Sequence, residues 1–249
     1  MTLASTGRLS LKVDGVARMT SESLALSALD WWAEAGVDTI VDDAPHDWLT
    51  RAAAPATQAV PPPMALVAET PATLADYRRW LLVDASVPGP ASARLDAIGD
   101  AAHGAMVVVD MPEAGDRAAG ALLAGEAGAL FDRMLAAIGL DRAHIYLAPF
   151  APARPTGGRV SEADCVVLAR LMRHHVALAA PRRLLLLGDA PVRALTGLPL
   201  AQARGQMRPV EIEGFGTVPA IASFHPRFVA ERPDYRRPAW ADLQLFMGL

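Results

Sequence analysis

Four short and almost wholly apolar runs, Ala105–Val109, Ile145–Ala148, Leu184–Leu187 and Val218–Phe224, are separated by stretches of helical period. This alternation restricts the chain more than any other feature. Strands covered on both faces read as continuous apolar runs, and parallel neighbours need a crossover between them, usually a helix. The expected fold is therefore α/β: a central parallel sheet of about four strands with helices on both faces. Ligands of such sheets sit outside the carboxyl ends of the strands, and Asp110, Pro149, Gly188 and His225 all fall at such ends.

Helices are expected from Thr73 to about Val83 and over Ala118–Ile138, Ser161–Ala179, Ala190–Leu195 and Pro238–Met247. In the last of these Pro238 fits the first turn, and Trp240, Leu243 and Phe246 share a face. Upstream, Met1–Met19 has no sustained period, while Leu24, Leu26, Leu29, Trp31, Trp32 and Ala35 form an apolar face that Ser21 or Ser23 can cap and Gly36 can end. Ala52–Met64 carries Pro55, Pro61, Pro62 and Pro63 and reads as a semi-rigid spacer. The expected division is an N-terminal helix and proline-rich linker over 1–64, then an α/β domain over 65–249. There is no internal repeat and no nucleotide-binding glycine motif.

A chain of 249 residues that is 52% hydrophobic can bury a full core without staples. The single Cys165 rules out an internal disulfide and any site built only from cysteines. No apolar run approaches the roughly 20 residues of a membrane span, and the N-terminus lacks the order of a secretion signal, so a cytoplasmic protein without membrane partners is expected. A net charge of −4 supplies no global attraction for nucleic acid, which would have to be met by a local patch.

The apolar run after Thr217 breaks abruptly into His225-Pro226-Arg227. Pro226 ends strand pairing and biases His225 towards an extended backbone. The imidazole is then either a site residue delivered to a surface or a strand-end histidine that caps a neighbouring element. His174 and His175 are adjacent, so on a helix they diverge by about 100°, and no carboxylate is spaced to join them. No metal site is expected.

Three blocks in order, Gly125–Leu140, Leu184–Gly197 and His225-Pro226 with Trp240–Leu243 behind it, resemble the uracil-DNA glycosylase superfamily, especially its thermostable iron-sulfur branch. The resemblance runs from about Leu74 to the C-terminus. It implies a parallel sheet with DNA held across the strand ends, a flipped base, and hydrolysis of an N-glycosidic bond. That reaction develops positive charge on the sugar and negative charge on the leaving base, so it needs a carboxylate near the one and a donor near the other. By resemblance Asp110 and His225 take these roles, and Met111, Pro112, Leu123, Pro149, Arg227 and Phe228 contact the substrate, Arg227 on a phosphate and Phe228 as a wedge. Arg227 and Phe228 also fit plain solubility and packing roles, and Asp110 fits a helix N-terminal acid beside Pro112.

The chain departs from the family at several of these positions. Val109-Asp110-Met111-Pro112-Glu113 stands where the family reads Gly-Glu-Ala-Pro-Gly. The acid is thereby withdrawn by about 1.5 Å, and displacement on that scale can cost about a hundredfold in rate. Leu123 replaces a base-stacking aromatic, and Pro149 replaces the asparagine that reads the base edge. Arg154, Thr156, Gly157 and Arg159 follow on a loop that can offer substitute polar contacts. Ala153 and Leu168 replace cluster cysteines, so no cofactor is expected, and Trp31, Trp32 and Trp80 are candidates for the cluster's packing role. Two functions follow: a divergent DNA glycosylase acting on uracil or another damaged base, or a degenerate scaffold that binds DNA or a repair partner.

Overall fold

Every residue of Ala105–Val109 (β2) is buried, as are the four leucines of Arg183–Leu187 (β4), which pairs with it in parallel. The computed structural model describes residues 26, 27, 30, 31 and 70–248. The chain divides into two units, Met1–Pro63 and Met64–Leu249. In the first, Leu26, Ser27, Asp30 and Trp31 are helical; Met1–Met19, Trp32 and the proline-rich spacer to Pro63 lie outside the described residues.

Within the second unit a six-stranded sheet has the order β1-β3-β2-β4-β6-β5. Ile98–Gly99 is β1, Tyr146–Pro149 is β3, Met207–Ile212 is β5 and Gly216–Ser223 is β6. The central four strands are parallel, as the apolar runs predict, and each edge strand is antiparallel to its neighbour. Sequence reading misses both edges for physical reasons. β1 has two residues, and β5 alternates in exposure and contains Pro209, which an edge strand tolerates because one side of its backbone needs no partner.

The strands alternate their side chains between two cores. Met106, Val108, Leu184, Leu186, Ala220 and Ala222 pack with Leu168, Met172 and Val176, whereas Val107, Val109, Leu185, Leu187 and Ile221 pack with Phe131, Leu135, Leu243 and Phe246. Helices therefore cover both faces. Each fully buried leucine or valine contributes roughly 2 kcal/mol of apolar transfer. The helices are Leu74–Val83 (α1), Asp116–Ala119 (α2), Glu126–Ala137 (α3), Glu162–Ala179 (α4), Asp189–Thr196 (α5), Leu200–Ala203 (α6), Pro226–Glu231 (α7) and Arg236–Met247 (α8). Thr73 and Ser161 cap α1 and α4 through their hydroxyls. Trp80 stacks on Tyr77 and packs against the first core.

The single helix expected over Ala118–Ile138 is two, and the cause is Asp116. Its buried carboxylate accepts N–H bonds from Glu113, Leu123 and Ala124, each at 2.8 Å, which compete with helical pairing. The reversal puts Leu123 at φ +52°, Arg142 binds the carbonyls of Leu122 and Leu123, and Gly128 lets the Leu123 carbonyl lie against α3 where a Cβ would collide. Elsewhere, buried Arg94 donates to the carbonyls of Leu81, Asp84, Val87 and Gly89 and so closes the 84–94 loop.

Asp242 on α8 is fully buried and ties the end of β6 in place. It accepts from Ser223 Oγ at 2.8 Å, from Arg204 Nη2 at 2.9 Å and from the Gly205 N–H at 3.1 Å. The Arg204 guanidinium also lies over the Phe224 ring, 4.4 Å from its centroid. Asp242→Ala leaves Arg204 without its counter-charge and is expected to cost about 3 kcal/mol of unfolding free energy, measured by denaturant titration; a loss below about 1 kcal/mol would mean the network does not hold the strand end.

Candidate active site

The parallel register aligns the ends of three strands. Val109 pairs with Leu187, and Leu187 with Ser223, so Asp110, Gly188 and Phe224 follow at one level and His225 lies one residue beyond. Two ladder spacings separate the first and last of these strands, about 10 Å. Gly188 fills the gap between them. It has φ +107°, and a Cβ there would run into the Asp110 carboxylate, so glycine is required both by the backbone and by the acid lying over it.

Asp110 stands at the N-terminus of α5, beside the Ala190 N–H. The acid is thus near a helix start, but one supplied by the neighbouring strand rather than one beginning beside Pro112. Its Oδ1 is enclosed and makes no hydrogen bond. Burial pushes its carboxyl up to about 7, against the downward pull of the Ala190 N–H and of Arg227. Asp110 and Met111 line one end of a groove of about 610 Å³ that also meets Arg159, Cys165, Ala190 and Arg193.

His225 combines both roles open to a strand-end histidine. Its Nδ1 accepts the Arg227 N–H at 3.2 Å and caps α7, with Pro226 as the first helical residue. Nδ1 as acceptor leaves the proton of the neutral ring on Nε2, which is buried and without a partner. Burial lowers the imidazole pKa to about 4, with Arg227 adding to the effect, so the ring is neutral at ordinary pH. An enclosed acceptor and an enclosed N–H donor therefore stand at the same edge of the sheet, each without a partner.

The other residues expected at the site are placed as follows. Pro112 is buried and its carbonyl accepts from Arg154 at 3.2 Å. Leu123 is buried in the core of the α3 face, and Pro149 is buried against Tyr77, Phe150 and His175; neither lines the groove beside Asp110. Arg227 is ion-paired with Glu113 at 2.8 Å. Phe228 stacks on Phe224 and meets Tyr235 edge-on, with Arg232 over its ring. Glu113, Asp116 and Asp242 escape sequence reasoning because isolated acids carry no periodic signal; only the partners that folding brings to them reveal them.

His175 pairs with Tyr146 Oη at 2.7 Å and His174 with the Pro71 carbonyl, and among the described residues no group of three or more His, Cys, Asp or Glu is arranged to hold a metal ion. Ala153 is buried where a Cβ on Gly89 would touch it at 2.9 Å, and Leu168 is buried in the core. Neither carries a ligating atom, and the chain has one cysteine, so these residues do not fit a cysteine-bound cluster. No helix among the described residues is long and apolar enough to cross a membrane.

Two comparisons bear on this site. The family model described as the uracil DNA glycosylase superfamily matches residues 98–244. A type-4 uracil-DNA glycosylase of Pyrobaculum aerophilum is 26% identical over 170 residues, covering 66% of this chain and 82% of that protein.

Asp110 carries a stability signature. Its folded pKa of about 7 lies above the ordinary 3.8, so the folded state holds the proton more tightly and stability falls as pH rises from about 4 to 7. Asp110→Asn removes this cost. It is expected to raise stability by a few kcal/mol at pH 8 and to have little effect at pH 4, read from urea denaturation at both pH values; an equal effect at the two would show that the carboxyl is not perturbed by burial.

Proposed function

Because the chain belongs to the uracil DNA glycosylase superfamily, we propose that it hydrolyses the N-glycosidic bond of uracil or another damaged base in DNA. The observation that carries this reading is the pair of unpartnered buried atoms, Asp110 Oδ1 and His225 Nε2. In the reaction the base leaves with the bonding electrons, and its carbonyl oxygen gains negative charge. A neutral imidazole with its proton on Nε2 can donate a hydrogen bond to that oxygen. As carboxylate, Asp110 stabilises the positive sugar and orients the attacking water, whose proton it can accept. The base must be flipped out of the stack to reach them. Phe228 and Arg227 lie on the helix that follows His225, in keeping with a wedge and a phosphate contact.

A second reading, DNA binding without excision, is favoured by one observation. Pro149 and Leu123 are buried and offer neither a side-chain hydrogen bond nor an aromatic face with which to select a base.

Excision from end-labelled oligonucleotides carrying uracil, xanthine or hypoxanthine, as single strand and as duplex, separates the two. Cleavage at one lesion that falls at least about a hundredfold in Asp110→Asn and in His225→Ala is the expected result. Retained DNA binding with no cleavage at stoichiometric protein establishes the second reading.

The pH profile follows from the same groups. The active carboxylate form of Asp110 appears above its pKa of about 7, so the single-turnover rate is expected to rise about tenfold from pH 6 to pH 8. No acid limb from His225 should appear until about pH 4. A flat profile between pH 6 and 8 would mean that no group with a pKa near 7 limits the reaction.

A further inference from the structure

Glu113 is placed between the acid and the histidine. It follows Asp110 by three residues on the loop after β2, and its side chain is 17% exposed. Both of its oxygens reach Arg227 Nη1, at 2.8 and 3.0 Å, and Oε1 lies 3.7 Å from His225 Nδ1. The ion pair joins the end of β2 to α7, which begins the turn after β6. It engages only Nη1 of the guanidinium. Nε and Nη2 make no hydrogen bond among the described residues, and the Arg227 side chain is 41% exposed. That free edge is the one that binds a phosphate through two parallel N–H bonds.

We infer that Glu113 is a specificity-determining residue that competes with DNA phosphate for Arg227. This rests on the DNA-acting function proposed above. A phosphodiester on the free edge of Arg227 comes within a few ångströms of the Glu113 carboxylate, where limited exposure leaves the repulsion poorly screened. Glu113 also fixes the guanidinium, but that benefit is limited to the rotamer freedom of one side chain. Repulsion outweighs it, so Glu113 weakens the hold on any polyanion. A phosphate therefore settles on Arg227 only where the strand's other contacts are satisfied, and the site discriminates against DNA that is merely charged.

The test is binding of a fluorescent single-stranded oligonucleotide with one tetrahydrofuran abasic analogue, followed by anisotropy over a potassium chloride series. The proteins are the wild type, Glu113→Gln, Arg227→Gln and the double variant, with thermal melts alongside. Glu113→Gln keeps the shape and removes the charge; it is expected to bind about tenfold more tightly at fixed salt. Arg227→Gln should bind more weakly with a salt slope reduced by about one phosphate contact, and the double variant should match it. Glu113→Ala, read in parallel, should show the same gain even if the glutamine variant melts too low to use. Unchanged or weaker binding by the Glu113 variants, or a gain that persists without Arg227, overturns the inference and leaves the DNA-acting function standing. A wild type with no salt-dependent binding at all overturns both.

Discussion

Val109, Leu187 and Ser223 lie side by side on three neighbouring parallel strands, and the site depends on that shared register. Residues remote in sequence, Asp110 and His225, come to the same edge of the sheet because the strands before them end at nearly the same level. A slip of one residue in β6 would exchange its side chains between the two cores and move His225 from its level. The register is held from both sides, by two interleaved cores and by the Asp242 network behind Ser223. Gly188 completes it by leaving space for the Asp110 carboxylate between the two outer strands.

Burial acts on the two groups in opposite chemical senses and to a common effect. It disfavours the charged form of each, raising the carboxyl of Asp110 and lowering the imidazole of His225. The histidine is kept a neutral donor while its other nitrogen is occupied in capping α7. The acid is kept near its midpoint at neutral pH, where it can exist in either protonation state. Two buried polar atoms, Asp110 Oδ1 and His225 Nε2, are left without a partner at a cost in stability.

Several of the residues expected at the site also have partners within the fold. Leu123 is committed to the core by the Asp116 reversal, Pro149 to the opposite layer, Phe228 to an aromatic cluster with Phe224 and Tyr235, and Arg227 to Glu113. The 84–94 loop is closed by Arg94, whose guanidinium gathers four carbonyls.

The sequence by itself determined the α/β class, the four parallel strands and the positions of Asp110 and His225 at strand ends, because burial on both faces demands continuous apolar runs and the chain breaks polarity where each run stops. It left unread the edge strands, the interruption of the Ala118–Ile138 helix and the roles of Glu113, Asp116 and Asp242. Each of these turns on a contact or a position in the sheet that carries no periodic signal: Pro209 on a sheet edge, Asp116 with the N–H groups of Leu123 and Ala124, Glu113 with Arg227, and Asp242 with Ser223 and Arg204. Only the tertiary structure decided them, since a carboxylate has no periodicity of its own and its function is set by the donors that folding brings within reach.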